Sequence, residues 1–409
     1  MAGSLWHGFA DMGAVSADGP FVVTRGAGSR IWDAEGNEYL DATAGLWFTN
    51  VGHGRTEIAD AVAAQLGRLA HYSGFGDLTS DVTDALADRL AQLAPVPGSK
   101  IFFTSGGSDS VDSAAKLARR YWTEMGKPGK TLLVGRTKAY HGMHVAGTAL
   151  AGIPANHDGY GELMPDAESV EWDDAKSLLG LIERVGADRV AAFFCEPIIG
   201  AGGIYLPPAG YLAEVRQICR DHDVLFIADE VVTGFGRIGG DSWFASSRFD
   251  LAPDMMTTAK GLTSGYVPMG AVFIAPRIAE PFFAGGVWWR HGYTYGGHAG
   301  AAAAAMANLD IIEREGLLAE ATRLESELAE ALGPLADLDA VAEVRTGLGA
   351  VSAVQLSDAA RAPQAIGALR RHGVSARAAG AGALQISPAF VMTSDEVGEL
   401  ANRIGAALS

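Results

Sequence analysis

Cysteine is scarce in this chain: Cys195 and Cys219 are the only two among 409 residues, and they form no CxxC spacing. A disulfide framework and a cysteine-built zinc site are thereby excluded, and both thiols are expected to be buried. Lysine is almost as rare, found only at Lys100, Lys116, Lys127, Lys130, Lys138, Lys176 and Lys260. Positive charge is lacking overall, since 31 Lys+Arg stand against 48 Asp+Glu for a net −17. A surface of that sign repels phosphate backbones, which excludes nucleic acid and anionic membranes as partners and favours small-molecule chemistry. No window approaches the ~18 consecutive apolar residues of a membrane span. The opening MAGSLWHGFADMG has neither the basic stretch nor the apolar core of a secretion leader. A soluble, cytoplasmic protein is expected.

What is abundant is glycine and apolar surface. With 48% hydrophobic residues and 19% charged the chain can bury a large core. Its 53 glycines are about twice the usual ~7% and follow no collagen-like period, so they read as tight turns and close backbone approaches. Short apolar runs alternate with helical patterns from about residue 57: IFFT at 101–104, TLLVG at 131–135, VAAFFCEP at 190–197, VLFIADE at 224–230 and GAVFIAP at 270–276. Runs apolar on both faces, separated by helices such as Val111–Trp122 and Tyr211–His222, predict a mainly parallel sheet covered on both sides. The fold class is therefore α/β, with a large α/β domain over 57–310. A hairpin turning at Glu35-Gly36-Asn37 precedes it. A long amphipathic helix over Leu309–Leu332 and a strand at Ala350–Leu356 follow it. Residues 1–56 and 311–409 are expected to make one smaller α+β domain.

Three segments carry chemistry. In IFFTSGGSDSVDSAAKLARRYW, 101–122, a strand feeds a Ser/Gly loop and then a helix. Gly106 and Gly107 allow close approach, Ser105 and Ser108 offer hydroxyls, and the helix N-terminus supplies free N–H groups, a cup for phosphate. An N-capped helix after a tight turn is an equal reading of this segment alone. Lys116 lies too far along the helix to reach the anion. In DVLFIADEVVTGFGRIGG, 223–240, a buried strand delivers Asp229 to its carboxyl end, where ligands sit in open α/β sheets. Gly234–Gly239 formally matches GxGxxG but does not directly follow the strand, so it reads as a flexible connecting loop. In DMMTTAKGLTSGYVPMGAVFIAP, 254–276, Lys260 stands among apolar neighbours. An amine in such surroundings loses its proton readily and can form Schiff bases. An anion cup, a strand-end carboxylate and a lone lysine are the handles that pyridoxal phosphate requires.

Seven segments extend the pattern in order: DATAGLWFTNVGHGR at 41–55, FFTSGGSDSVDSAAKLAR at 102–119, AYHGMH at 139–144, EPIIGAGGIYLPPAGYL at 196–212, IADEVVTGFGRIG at 227–239, AKGLTSGYVPMGAV at 259–272 and HGYTYGGHAGAAAAA at 291–305. With them the chain, from about Phe21 to Leu408, resembles the class III aminotransferases of the fold type I pyridoxal-phosphate superfamily, and within them the omega-amino acid/amine:pyruvate group. The resemblance implies that Lys260 holds pyridoxal 5'-phosphate as a Schiff base and that Asp229 pairs with its ring nitrogen. It implies phosphate contacts from Gly107 and Ser108, with Tyr140 on one ring face and Val231 on the other. It further implies that Thr294 reaches the partner subunit's cofactor phosphate, so that the active unit is a homodimer or a dimer of dimers. Trp47, Phe75 and Tyr140 would line the substrate pocket, and Arg377 would clamp a substrate carboxylate. His141 and His144, spaced i, i+3, have no further metal ligand nearby, and a cofactor-flanking role is expected for His141. Around the cup and after Thr294 the chain departs from the family's usual residues, as in Tyr295-Gly296-Gly297-His298-Ala299, while Lys260 and Asp229 match.

The implied reaction is a ping-pong transamination. An omega-amino acid or primary amine gives its amino group to the cofactor, and a keto acid, pyruvate foremost, receives it. A decarboxylase or aminomutase could use the same lysine, and a non-catalytic protein could keep the fold.

Overall fold

The computed structural model describes Gly3–Ser409. Its centre is a seven-stranded sheet in the order Lys100–Thr104, Gly270–Ile274, Met255–Thr258, Leu225–Asp229, Val190–Cys195, Leu132–Arg136, Ala167–Val170. Six strands run the same way, and Gly270–Ile274 runs against both neighbours. A short return explains the reversal. Only residues 259–269 separate Met255–Thr258 from Gly270–Ile274, too few for the helical crossover that a parallel partner requires. Met255–Thr258 and the edge strand Ala167–Val170 were not evident as strands in the sequence. The first is four residues long and is separated from Lys260 by Ala259 alone, and the second, Ala-Glu-Ser-Val, is half polar and buried only at Val170.

The continuous apolar runs are buried because each face of the sheet is covered. Neighbouring residues point to opposite sides. Phe193 and Phe226 join a cluster with Leu178, Phe244 and Leu309, whereas Phe194 and Ile227 join Val111, Ala118 and Trp122 of the helix Gly107–Glu124. Both cysteines are buried.

Two four-stranded sheets flank this centre. One pairs the hairpin strands Arg30–Asp33 and Glu38–Asp41 with Val23–Ala27 and, in parallel, with Val374–Ser375, so it is built from both ends of the chain. The Asp33 carboxylate fixes the hairpin turn by accepting from the backbone N–H groups of Glu35 and Asn37 at 3.0 and 2.8 Å. The other sheet orders Val341–Arg345, Ser352–Leu356, Ala383–Ile386 and Ala378–Ala379.

Two expectations need correction. The long helix over Leu309–Leu332 is instead two helices, Ala299–Arg314 and Leu317–Leu332, because Gly316 takes a left-handed φ of 64° and redirects the chain. The Gly234–Gly239 loop is buried and braced, not a flexible connector. Arg237 within it is fully buried and donates to the side chain of Asn50 at 2.7 Å and to the carbonyls of Pro388 and Ala350. Among the described residues, no helix is long and apolar enough to cross a membrane.

Candidate active site

At the carboxyl ends of the central strands lies a cavity of about 560 Å³. Strand Leu225–Asp229 ends on it with Asp229, only 4% exposed. One carboxylate oxygen accepts from Thr257 Oγ1 and the Val231 N–H, both at 3.1 Å, and the other faces His141 Nδ1 at 2.7 Å. The carboxylate is thus held in one orientation from three sides. His141 is buried, and its Nε2 has no partner. His144 points elsewhere, to Asp109 at 2.7 Å, so the two histidines of the i, i+3 pair serve different carboxylates.

Lys260 opens the short 3-10 turn Lys260–Leu262 directly after strand Met255–Thr258, with a left-handed φ of 39°. A residue with a side chain holds that conformation only when its surroundings force it, at ~1–3 kcal/mol. Comparison with Lys130 is instructive. The Lys130 amine is also shut inside the protein, yet it donates to the carbonyls of Ala187 and Asp223 at 3.0 and 2.7 Å. Lys260 faces the cavity, where the ring of Trp47 lies 5.7 Å from its amine. Burial pulls its pKa below the ordinary lysine value, against the attraction of Asp229 and then Glu196. A lysine so placed gives up its proton more readily than a free one.

Opposite, the helix Gly107–Glu124 starts without a side-chain cap, leaving its first N–H groups free. Gly107 has no room for a side chain, since a Cβ there would sit 2.9 Å from Val231 Cγ1. Ser108 Oγ accepts from the Met143 N–H at 3.3 Å. Tyr140 lines the cavity beside Val231, Gly107, Ser108 and Arg377. The guanidinium of Arg377 stands 5.5 Å from the Trp47 ring, so the Lys260 and Arg377 side chains both neighbour this indole. Trp47 is 3% exposed, has a left-handed φ of 61° and carries an indole N–H without an acceptor. Burial lowers the pKa of Arg377 and raises that of Tyr140.

Two predicted residues lie apart. Phe75 is 52% exposed, against Gly292, and does not line this chain's cavity. Thr294 is exposed as well, with its carbonyl accepting from His71 Nε2 at 2.9 Å. The loop bearing Thr294 is anchored by Lys116, which donates to His291 Nδ1 at 2.8 Å, while His291 Nε2 meets Ser113 Oγ at 2.8 Å. Burial, with Lys116 next, pushes the pKa of His291 down to about 4. Sequence reasoning also missed Glu196 and Phe9. Glu196 follows the apolar strand Val190–Cys195 just as Asp229 ends its own, a signal that was available, and its oxygens accept from the N–H groups of Tyr140 and Gly200 at 2.8 and 2.9 Å. Phe9, whose ring centroid is 6.5 Å from that of Tyr140 at the cavity wall, sits in a segment with no readable pattern.

The family model for class-III aminotransferases matches residues 12–408. The chain belongs to the class-III aminotransferases. Among curated relatives of this aminotransferase, the putrescine–pyruvate aminotransferase of Pseudomonas aeruginosa is 40% identical over 85% of the chain and 79% of its own length. The beta-alanine–pyruvate aminotransferase of the same species is 36% identical over 95% of the chain and 92% of its own length. Among solved structures, an amine transaminase from an uncultivated Pseudomonas species, in its PLP-bound form, superposes with a TM-score of 0.93 at 36% identity, covering 99% of this chain and 98% of that one. The mainly parallel sheet of the aminotransferase is thus the fold type I α/β architecture of PLP-dependent transaminases.

Proposed function

We propose that this aminotransferase uses pyridoxal phosphate to move an amino group from an omega-amino acid, a diamine or another primary amine to a keto acid, pyruvate foremost. The observation that carries this reading is the meeting, in one cavity, of a lysine amine, a triply oriented strand-end carboxylate and an uncapped helix N-terminus. These fit the cofactor's aldehyde, ring nitrogen and phosphate. The unpartnered N–H of Trp47 and the unpartnered His141 Nε2 add polar atoms that await a ligand. When bound, the cofactor supplies an electron sink and carries the amino group between two substrates.

Lys260 would hold the cofactor through its amine, and that amine, when neutral, would take the proton from the amine-bearing carbon of the donor. Asp229 holds the ring nitrogen protonated. Gly107 and Ser108 receive the phosphate, and Tyr140 and Val231 confine the ring. Arg377 grips the carboxylate of the keto acid or of an amino-acid donor, and Trp47 walls the same side. The relatives named for putrescine and for beta-alanine favour short aliphatic donors.

The test is a donor screen in which pyruvate and 2-oxoglutarate compete as acceptors, repeated with Arg377→Ala. Turnover of diamines and omega-amino acids with pyruvate is expected. Arg377→Ala is expected to raise KM for carboxylate-bearing partners by about ten- to a hundredfold, as loss of a charge-assisted pair of ~1.5–3 kcal/mol requires, with a smaller change for putrescine. Equal losses for both kinds of donor would remove Arg377 from substrate binding.

A homodimer is part of the proposal. Phe75, Tyr72, Leu78, Trp288 and Tyr295 are all exposed in the chain by itself, with Phe75 against Gly292 and Tyr295 beside His71, on the segments that carry Thr294 and its carbonyl's partner. Thr294 and Phe75 lie on this region, so they are proposed to serve the partner's site. Sedimentation equilibrium should give twice the 42.5 kDa chain mass. In dimers mixed from Lys260→Ala and Thr294→Ala chains, the cofactor's release rate should depend on the Thr294 of the opposite subunit. A monomer at working concentration would rule this out.

A further inference from the structure

Gly202 and Gly380 sit in a stack of backbone that separates Tyr140 from Arg377. A Cβ on Gly202 would fall on the carbonyl of Lys138, 2.9 Å from its carbon, two residues before Tyr140. A Cβ on Gly380 would in turn fall on the carbonyl of Gly202, 2.6 Å from its carbon, three residues after Arg377. Neither glycine has room for a methyl group. The layers are also pinned in place. Gly380 N–H donates to the Ala201 carbonyl at 3.0 Å, and Gln385 N–H to the Arg377 carbonyl at 2.9 Å. Glu196 ties Tyr140 to Gly200, and Arg345, from outside the cavity, donates to the carbonyls of Ile204 and Gly203 at 2.9 and 2.6 Å. The backbone leading to Tyr140 and the backbone leading from Arg377 are thereby held at a set spacing by two side-chain-free contacts.

We infer that the Lys138–Gly202–Gly380 stack is a length gauge. It sets how far a substrate's carboxylate stands from its reacting carbon, and so makes Gly202 and Gly380 positioning residues for omega-amino acids of one chain length. The inference rests on the reading of Arg377 as the carboxylate clamp. Adding a methyl at Gly380, which also has a left-handed φ of 49°, pushes the Arg377 loop off Gly202 and away from Tyr140. That spacing then suits a longer donor. One methylene in a pocket is worth about ten- to two-hundredfold in kcat/KM, so the shift is measurable.

The experiment measures kcat/KM with pyruvate for beta-alanine, 4-aminobutyrate, 5-aminopentanoate and 6-aminohexanoate, for the parent, Gly380→Ala, Arg377→Ala and Arg345→Met. In Gly380→Ala the optimum is expected to move to a longer donor, with the long-to-short ratio up about tenfold. Arg345→Met places no atom in the stack and removes its outer brace, so it should broaden the profile toward longer donors even if Gly380→Ala fails to fold. Arg377→Ala should flatten the profile. A parent-like profile in Arg377→Ala defeats the clamp itself. A flat Arg377→Ala profile together with uniform losses in Gly380→Ala and Arg345→Met leaves the clamp standing and overturns the gauge.

Discussion

Lys260→Ala is expected to lower kcat by at least about 10³-fold, the range of a lost general base, for every donor and acceptor pair. Covalent attachment of the cofactor should disappear with it. Borohydride treatment of the parent followed by peptide mapping is expected to place the fixed cofactor on the peptide containing Lys260, and nowhere in the variant. No neighbour can substitute. Lys130 is occupied by two carbonyls, Arg377 is a guanidinium that does not deprotonate, and the remaining lysines do not line the cavity. Because burial lowers the pKa of Lys260, the neutral base is present at lower pH than for a free lysine. An added small amine should restore part of the proton transfer in Lys260→Ala without restoring attachment. Wild-type turnover in the variant would dismiss Lys260 from the chemistry.

Asp229→Asn should cost at least about 10²-fold in kcat, as removal of a preorganised charge partner does. The substitution conserves shape. An amide oxygen can still accept from Thr257 Oγ1 and the Val231 N–H, so the cavity should survive and KM should change little. What is lost is the negative charge proposed to keep the cofactor's ring nitrogen protonated. Asp229 is also the first attraction that raises the pKa of Lys260. Its removal lowers that pKa further, so the acidic limb of the pH–rate profile, where the base becomes protonated, should move to lower pH. A variant with a raised KM and an unmoved profile would indicate a purely structural role for Asp229.

Much of this site was legible in the sequence because strand ends and helix starts obey local rules. An apolar run ending in Asp229 and a Ser/Gly turn opening a helix at Gly107 announce their positions without knowledge of any other segment. Lys260 stood out through the scarcity of lysine. Features that depend on distant packing were less readable. Gly234–Gly239 looks like a loose loop until Arg237 is seen locked to Asn50 and Pro388, partners 187 and 151 residues away. The break at Gly316 lies inside an otherwise helical pattern. Trp47 is assigned to the pocket by the resemblance alone, whereas its left-handed backbone and its N–H without an acceptor among the described residues show only in the fold. Phe75 and Thr294 lie on exposed segments outside this chain's cavity, and no local rule of strand or helix announces that position.

The most direct test of the proposed chemistry is a half-reaction. The cofactor-loaded protein is mixed with a diamine or omega-amino acid in the absence of any keto acid, and the carbonyl product is counted per chain. A burst that stops at one equivalent, followed by release of one alanine on adding pyruvate, is the expected result. Carbonyl or CO₂ released continuously without an acceptor, or no carbonyl product from any donor, would contradict transamination at this site.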